Sequence, residues 1–406
     1  VRGVSTRPAR AGSRARRPVR AEGATPRAAA AELDERVRRL LAEAPCTDLH
    51  AHPALKAFLF GRDLRRHYRS GHTLNPFGSR SDFAMLRKGG VRALGSSLHV
   101  PERNWFHECL ALKLAALLCT RPRAQLWTRG PAELLLAMMD AIERQAARSA
   151  HIAVARSNAE LDAALAAGRT ALVHTVEGAH HLEGDLRRLE GWAARGVASL
   201  TLAHLFPNRV GGHVQGVPPE YAVNRVCRVT YGADPDLGLT GFGRELVQEM
   251  VRLRIVVDVT HLGPRARAEV LALVDGRAPV IASHVGARAL RADAYNLDDD
   301  EIREVARGGG AVGVIFMTRW LDPGAPARGL DAVARTLEHV ARITGSHDHG
   351  AVGTDFDGFT DPPDDLADAS RWPALVRGLL ERGWTEDDVR KVAGANARRV
   401  WRRGWR

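Results

Sequence analysis

The chain has 406 residues, 45% apolar and 26% charged, an ordinary soluble composition, and no apolar run approaches the ~20 residues of a membrane span. Its formal net charge is +12, and residues 1–30 hold eight arginines against one acid, so seven of those charges lie in that short stretch. Rich in Arg, Ala and Pro, the stretch cannot bury enough surface to fold and is read as a disordered basic tail, 1–30, ahead of one folded domain, 31–406.

From Ala31 a helical pattern runs through Leu33, Val37, Leu40 and Leu41 until Pro45 breaks it. A first strand follows in PCTDLHAHP, ending in His50 and His52. On a strand, residues i and i+2 point to the same side, so the two imidazoles can converge on one ion, and neutral imidazole is a common ligand for zinc. Next comes a long irregular segment containing Phe58, Phe60, His67, Tyr68 and Phe77, in the style of an active-site loop. SDFAMLRKGG predicts a helix stopped by Gly89 and Gly90, and VRALGSS (91–97) a second strand. Residues 104–167 read as two long helical stretches, the second amphipathic through Leu134, Met138, Ile142 and Ala146. Six further apolar runs are separated by helical patterns: 170–178, 197–204, 255–261, 279–284, 311–316 and 351–358.

Eight near-continuous apolar strands alternating with helices predict a parallel sheet covered on both sides, closed as a (β/α)8 TIM barrel. A doubly wound open sheet is the alternative, but no GxGxxG follows a strand. The polar residues then fall in one place. His50 and His52 end strand 1, Glu177 strand 3, His204 strand 4, His261 strand 5, His284 strand 6 and Asp355 strand 8. Strand C-termini face the catalytic rim of such a barrel, so seven potential ligands or acid/base groups point into one mouth. Cys46, Cys109, Cys119 and Cys227 have no CxxC spacing, which indicates neither a disulfide framework nor a zinc knuckle. With no apolar signal core, the expected location is cytoplasmic.

The segments DLHAHP, TVEGAH, LTLAH, GLTGFGRELVQEM running into VVDVTHLG, IASHVGARAL, GTDFDGF and WTEDDVRKVAGANARRVW together resemble the renal (membrane) dipeptidase family, the M19 metallopeptidases of the amidohydrolase superfamily, over roughly 45–401. The resemblance implies two Zn2+ per chain, with His50 and His52 on the first, His261 and His284 on the second, and Glu177 bridging both. It implies hydrolysis of an amide by metal-activated hydroxide, with Asp355 handling the proton and His204 stabilising the oxyanion. A homodimer follows from the same resemblance.

Two departures stand out. His-x-His replaces the family's common His-x-Asp, which removes one negative charge. The family's arginine for the substrate carboxylate falls at Tyr295, which cannot make a bidentate ion pair. Arg288 or Arg291 is then the candidate substitute, or the substrate differs. The long link from Leu205 to Thr240, with His213, Tyr221 and Arg225, is expected to cover the substrate. The first reading is a dipeptidase-like hydrolase of a dipeptide or N-acyl amino acid. The alternative is a non-peptidase amidohydrolase acting on a lactone, cyclic amide or other small amide. Nucleic-acid binding through the tail is disfavoured, because the aromatics of a stacking platform are missing.

Overall fold

The computed structural model describes residues 26–70, 78–217, 222–227, 229–321, 329–358 and 360–406. Nine strands form one all-parallel sheet: β1 Cys46–Ala51, β2 Val91–Leu98, β3 Ile152–Ala155, β4 Thr170–Glu177, β5 Ser199–Thr201, β6 Val256–Asp258, β7 Val280–Val285, β8 Ala311–Val314 and β9 Gly350–Val352. The order runs β2-β1-β9-β8-β7-β6-β5-β4. It closes where β2 pairs β4, from Ala93 opposite Ala171 to Leu98 opposite Val176. This is the predicted (β/α)8 barrel, with each predicted strand in place. The strands β4, β7 and β8 are buried along their whole length, which is why they read as unbroken apolar runs.

The ninth strand was not predicted. β3 pairs β4 from Ile152–Thr170 to Ala155–Val173, while β5 takes the other half of that edge, from Thr175 to Glu177. Four apolar residues following the helix Pro131–Ala147 are too short to be told from a helix continuation by periodicity. Instead of two long helices, 104–167 holds five helices and this strand.

Three other expectations change. The first helix spans Pro26–Glu43, so it starts inside the stretch read as tail; residues 1–25 lie outside the described residues. The segment after His52 opens with a helix, Pro53–Leu59, with proline in its first turn, where its missing N–H costs nothing. Finally, Cys109 and Cys227 form a disulfide with a Cα–Cα distance of 4.9 Å, across 118 residues of sequence. Only the fold brings these two together, so no local spacing announces the bond.

Two apolar clusters organise the molecule. One fills the layer between barrel and helices. The other joins Leu49, Ala93, Ala171, Ile281, Ala311 and Ala351 of six strands to residues of the C-terminal helix Asn396–Gly404, among them Trp401. That helix closes the end of the barrel where the strands begin. Arg398 donates to the carbonyl of Pro45, Arg399 to that of Gly309 and Asn396 to that of Gly350. With the bottom plugged, the opposite rim is the open end.

Candidate metal centre and active site

The rim residues converge on Glu177, the last residue of β4. Its Oε1 lies 3.3 Å from His50 Nε2, 3.4 Å from His261 Nε2 and 3.3 Å from His284 Nε2. Its Oε2 lies 3.5 Å from His52 Nε2 and 3.8 Å from His204 Nε2. Asp355 Oδ1 reaches His52 Nε2 at 3.0 Å and His50 Nε2 at 3.8 Å. All seven predicted residues therefore meet in one place, and all but His204 are buried. Several sit just past their strands rather than on them. His261 and Asp355 have φ of 68° and 55°, left-handed values that turn the chain over the rim.

Electrostatics at the centre favour an anionic Glu177. Burial alone would raise its carboxyl, but the histidines around it, His204, His50 and His52 foremost, outweigh that and hold it well below the usual carboxylate range. Burial opposes Asp355 too, and its bond to His52 with the nearby His284 brings its carboxyl down.

The hydrogen-bond pattern tests whether cations fit. Asp258 receives Thr201 Oγ1 at 2.8 Å, Thr260 Oγ1 at 2.8 Å and the Ser283 hydroxyl, which ties β5, β6 and β7 together. With its proton committed to Asp258, Ser283 Oγ accepts from His284 Nδ1 at 2.7 Å. His284 Nε2 is then a lone pair, and it faces His261 Nε2 at 3.2 Å as well as the Glu177 carboxylate. His50 and His52 place their Nε2 atoms 3.0 Å apart. Two ring nitrogens this close are held either by a proton that one of them donates or by a cation that both ligate. Zinc bonds of about 2.0–2.1 Å put tetrahedral ligand atoms roughly 3.3–3.4 Å apart, which the Glu177 contacts match. The residues fit a metal centre with an outer-shell partner on His284.

Sequence reading missed a second layer beside His204. Glu102, on the turn after β2, accepts from His204 Nδ1 at 2.8 Å, and His99 Nε2 lies 3.4 Å from its other oxygen. Both carboxylate and ring are buried. Burial disfavours a charged His99, but Glu102 and Glu177 outweigh it and push its pKa up to about 9. For His204 burial wins over Glu102, and the pKa falls to about 4. His99, His180 and His181 also cluster, yet His181 is consumed by backbone. Its Nδ1 donates to Gly178 O at 2.7 Å, and its Nε2 accepts from Val100 N at 3.0 Å. That set fixes a corner of the fold. The available signal was the strand end, because β2 runs to Leu98, one residue beyond the predicted stretch, and so brings His99 to the rim.

Of the carboxylate candidates, Tyr295 is completely buried. Its hydroxyl donates to the carbonyl of His284 at 2.8 Å, and its ring stacks on Trp320 at 4.0 Å. Arg288 is half-buried beside Asp298 at 3.5 Å, and Arg291 is half-buried. The segment under them is held by buried Arg267, which pairs Glu301 at 2.7 Å and donates to the carbonyl of Ala294. The described part of the link after β5 touches the rim at one of the site residues. Val214 N donates to His261 O at 2.9 Å, and Leu205, Phe206, Val229 and Tyr231 form a small core of their own. Tyr221 and the Arg225 side chain lie outside the described residues.

Residues 34–404 match the family model for membrane dipeptidase, peptidase family M19. Two proteins of Schizosaccharomyces pombe, each named an uncharacterized dipeptidase, are 32% identical over 238 and 227 residues; the matches cover 58% and 56% of this chain and 53% and 51% of theirs. The chain thus spans about half the length of these curated relatives. A crystal structure of a metallo peptidase from Rhodobacter sphaeroides, liganded with a phosphinate mimic of the dipeptide L-Ala-D-Ala, is 26% identical with a TM-score of 0.70, over 89% of this chain and 99% of that one.

Proposed function

The chain belongs to the membrane dipeptidase family, peptidase family M19, and from that premise we propose zinc-dependent hydrolysis of an amide bond in a small, dipeptide-like substrate, with two ions per chain bridged by Glu177. The observation that carries this reading is Glu177 Oε1 at 3.3, 3.4 and 3.3 Å from the Nε2 atoms of His50, His261 and His284. His50 and His52 would hold one ion, His261 and His284 the other. Bound there, zinc supplies Lewis acidity that polarises a carbonyl and acidifies a water. The remaining work falls to the chain. Asp355 takes the proton of the attacking water at its carboxylate and returns it to the leaving amine. His204, whose Nδ1 proton goes to Glu102, turns Nε2 to the substrate, where the neutral ring accepts a hydrogen bond and only a second proton would let it donate to the carbonyl oxygen. The link from Leu205 to Thr240 limits water access.

The ligand of the Rhodobacter neighbour, a mimic of L-Ala-D-Ala, makes dipeptides and N-acyl amino acids the first substrates to try. One observation favours the second reading, a non-peptidase amidohydrolase acting on a lactone or cyclic amide. Where the family arginine is expected, Tyr295 is buried and its hydroxyl is committed to His284, so no cation is offered there to a free carboxylate. Metal analysis with a panel of L-L and L-D dipeptides, N-acyl amino acids and lactones tests both; turnover of none of them with two ions bound would contradict both.

No helix among the described residues is long and apolar enough to cross a membrane. The Cys109–Cys227 bond weighs against the cytoplasmic expectation, since such bonds persist in oxidising compartments. A homodimer remains part of the proposal on family grounds alone.

A further inference from the structure

We infer that Glu102 is a positioning residue for His204, holding its ring by Nδ1 so that Nε2 is turned to the reacting atoms. The inference rests on the hydrolase reading for what His204 does, but the contact itself stands on geometry. Glu102 Oε1 lies 2.8 Å from His204 Nδ1, and the Leu205 N–H points to the same oxygen at 3.4 Å. A buried carboxylate only accepts hydrogen bonds, so it selects the tautomer with the proton on Nδ1. The other ring nitrogen is then left facing Glu177 Oε2 at 3.8 Å.

The turn that carries Glu102 is itself built. His180 Nε2 donates to the carbonyl of Val100 at 3.0 Å, while the Val100 N–H donates to His181 Nε2 at 3.0 Å. Two histidines that follow β4 thus pin the backbone two residues before Glu102, at the end of the neighbouring strand β2. His99 closes the other side of the carboxylate at 3.4 Å and lies against the His204 ring, with centroids 4.1 Å apart. The ring of His204 cannot turn without breaking its bond to Glu102. A carboxylate that orients a histidine from behind is a recurrent arrangement at hydrolytic sites, and misplacing a reacting group by an ångström is costly to turnover.

A positioning role makes a specific set of demands. Glu102→Ala should lower kcat by about 10²-fold with KM within threefold and metal content close to wild type, while its melting temperature should fall because buried His99 loses its carboxylate partner. Glu102→Gln, which keeps an acceptor oxygen, should recover at least tenfold of that loss. In a His204→Ala background, Glu102→Ala should cost nothing further in kcat, because both act through one ring. A readout independent of turnover is the 15N spectrum of the imidazoles, with the His204 signals assigned by their loss in His204→Ala; wild type should show the proton on Nδ1 and Glu102→Ala a tautomer mixture. Additive losses in the double variant, a Glu102→Gln chain no better than Glu102→Ala, or loss of metal or fold in Glu102→Gln would overturn the assignment. If wild type hydrolyses nothing in the panel, the hydrolase reading fails, while the tautomer spectrum still decides the positioning of His204.

Discussion

On the rim of the barrel, at the ends of the neighbouring strands β1 and β9, His52 Nε2 and Asp355 Oδ1 lie 3.0 Å apart. The partner that the histidine at position 52 meets is therefore the carboxylate on the rim after β9, the one proposed above for proton transfer.

Asp355→Asn tests that proton-transfer role. The variant should keep substantial metal, since Glu177 and the four histidines remain, but lose on the order of 10²-fold or more in kcat. Unchanged turnover would remove Asp355 from the mechanism.

Buried Tyr295 implies weak discrimination for a free carboxylate. An arginine at that place would contribute charge-assisted bonds of ~1.5–3 kcal/mol. Converting the C-terminal carboxylate of a substrate to the amide should then change kcat/KM by less than about threefold, against a tenfold to hundredfold change for a dedicated ion pair. Strong discrimination against amides would instead point to Arg288, Arg291 or Arg225. Because position 295 has no exposure, Tyr295→Arg should bury an unmatched charge and lower the melting temperature.

The placement of the site was legible because each of its parts closes an apolar run. His50, Glu177, His261 and His284 each follow Val, Leu, Ile or Ala-rich segments that read as strands, and in a parallel barrel all strand ends share one rim. What was not legible came from packing across the fold. Glu102 lies on a turn with no pattern of its own, β3 is four residues long, and the partner of Cys109 is 118 residues away. The position of Tyr295 could be counted from His284, but the inward direction of its ring depends on Trp320, which sequence spacing does not reveal.

Thiol counting checks the disulfide. Denatured, unreduced protein should yield two reactive thiols, those of Cys46 and Cys119, rising to four after reduction. In the native state only Cys119 should react readily, because it is exposed while Cys46 is buried and burial pushes its thiol up to about 12. Four thiols without reductant would remove the bond and with it the argument for an oxidising compartment.

Away from the metal centre, Glu143 gives a pH dependence of stability. His174 Nε2 donates to it at 3.0 Å, and that bond, with help from Arg195 and Arg156 against the effect of burial, brings its carboxyl down to about 2 from 4.5. A carboxylate whose pKa is lower folded than unfolded stabilises above the unfolded value, and the contribution disappears as pH falls from about 4.5 toward 2. The shift is an upper bound of roughly 3 kcal/mol, less in practice because Glu143 is 20% exposed. Urea unfolding at pH 6 and at pH 3 should show wild type more stable than Glu143→Gln at pH 6, with the gap narrowing at pH 3. A gap that is constant or widens on acidification would contradict this.

The bridging role of Glu177 is the claim on which the rest depends, and metal content measures it most directly. Wild type should carry two equivalents of zinc per chain; Glu177→Ala should lose more metal than His284→Ala, because in the proposed arrangement the carboxylate would serve both ions and each histidine one. Two equivalents retained in purified Glu177→Ala would contradict the account.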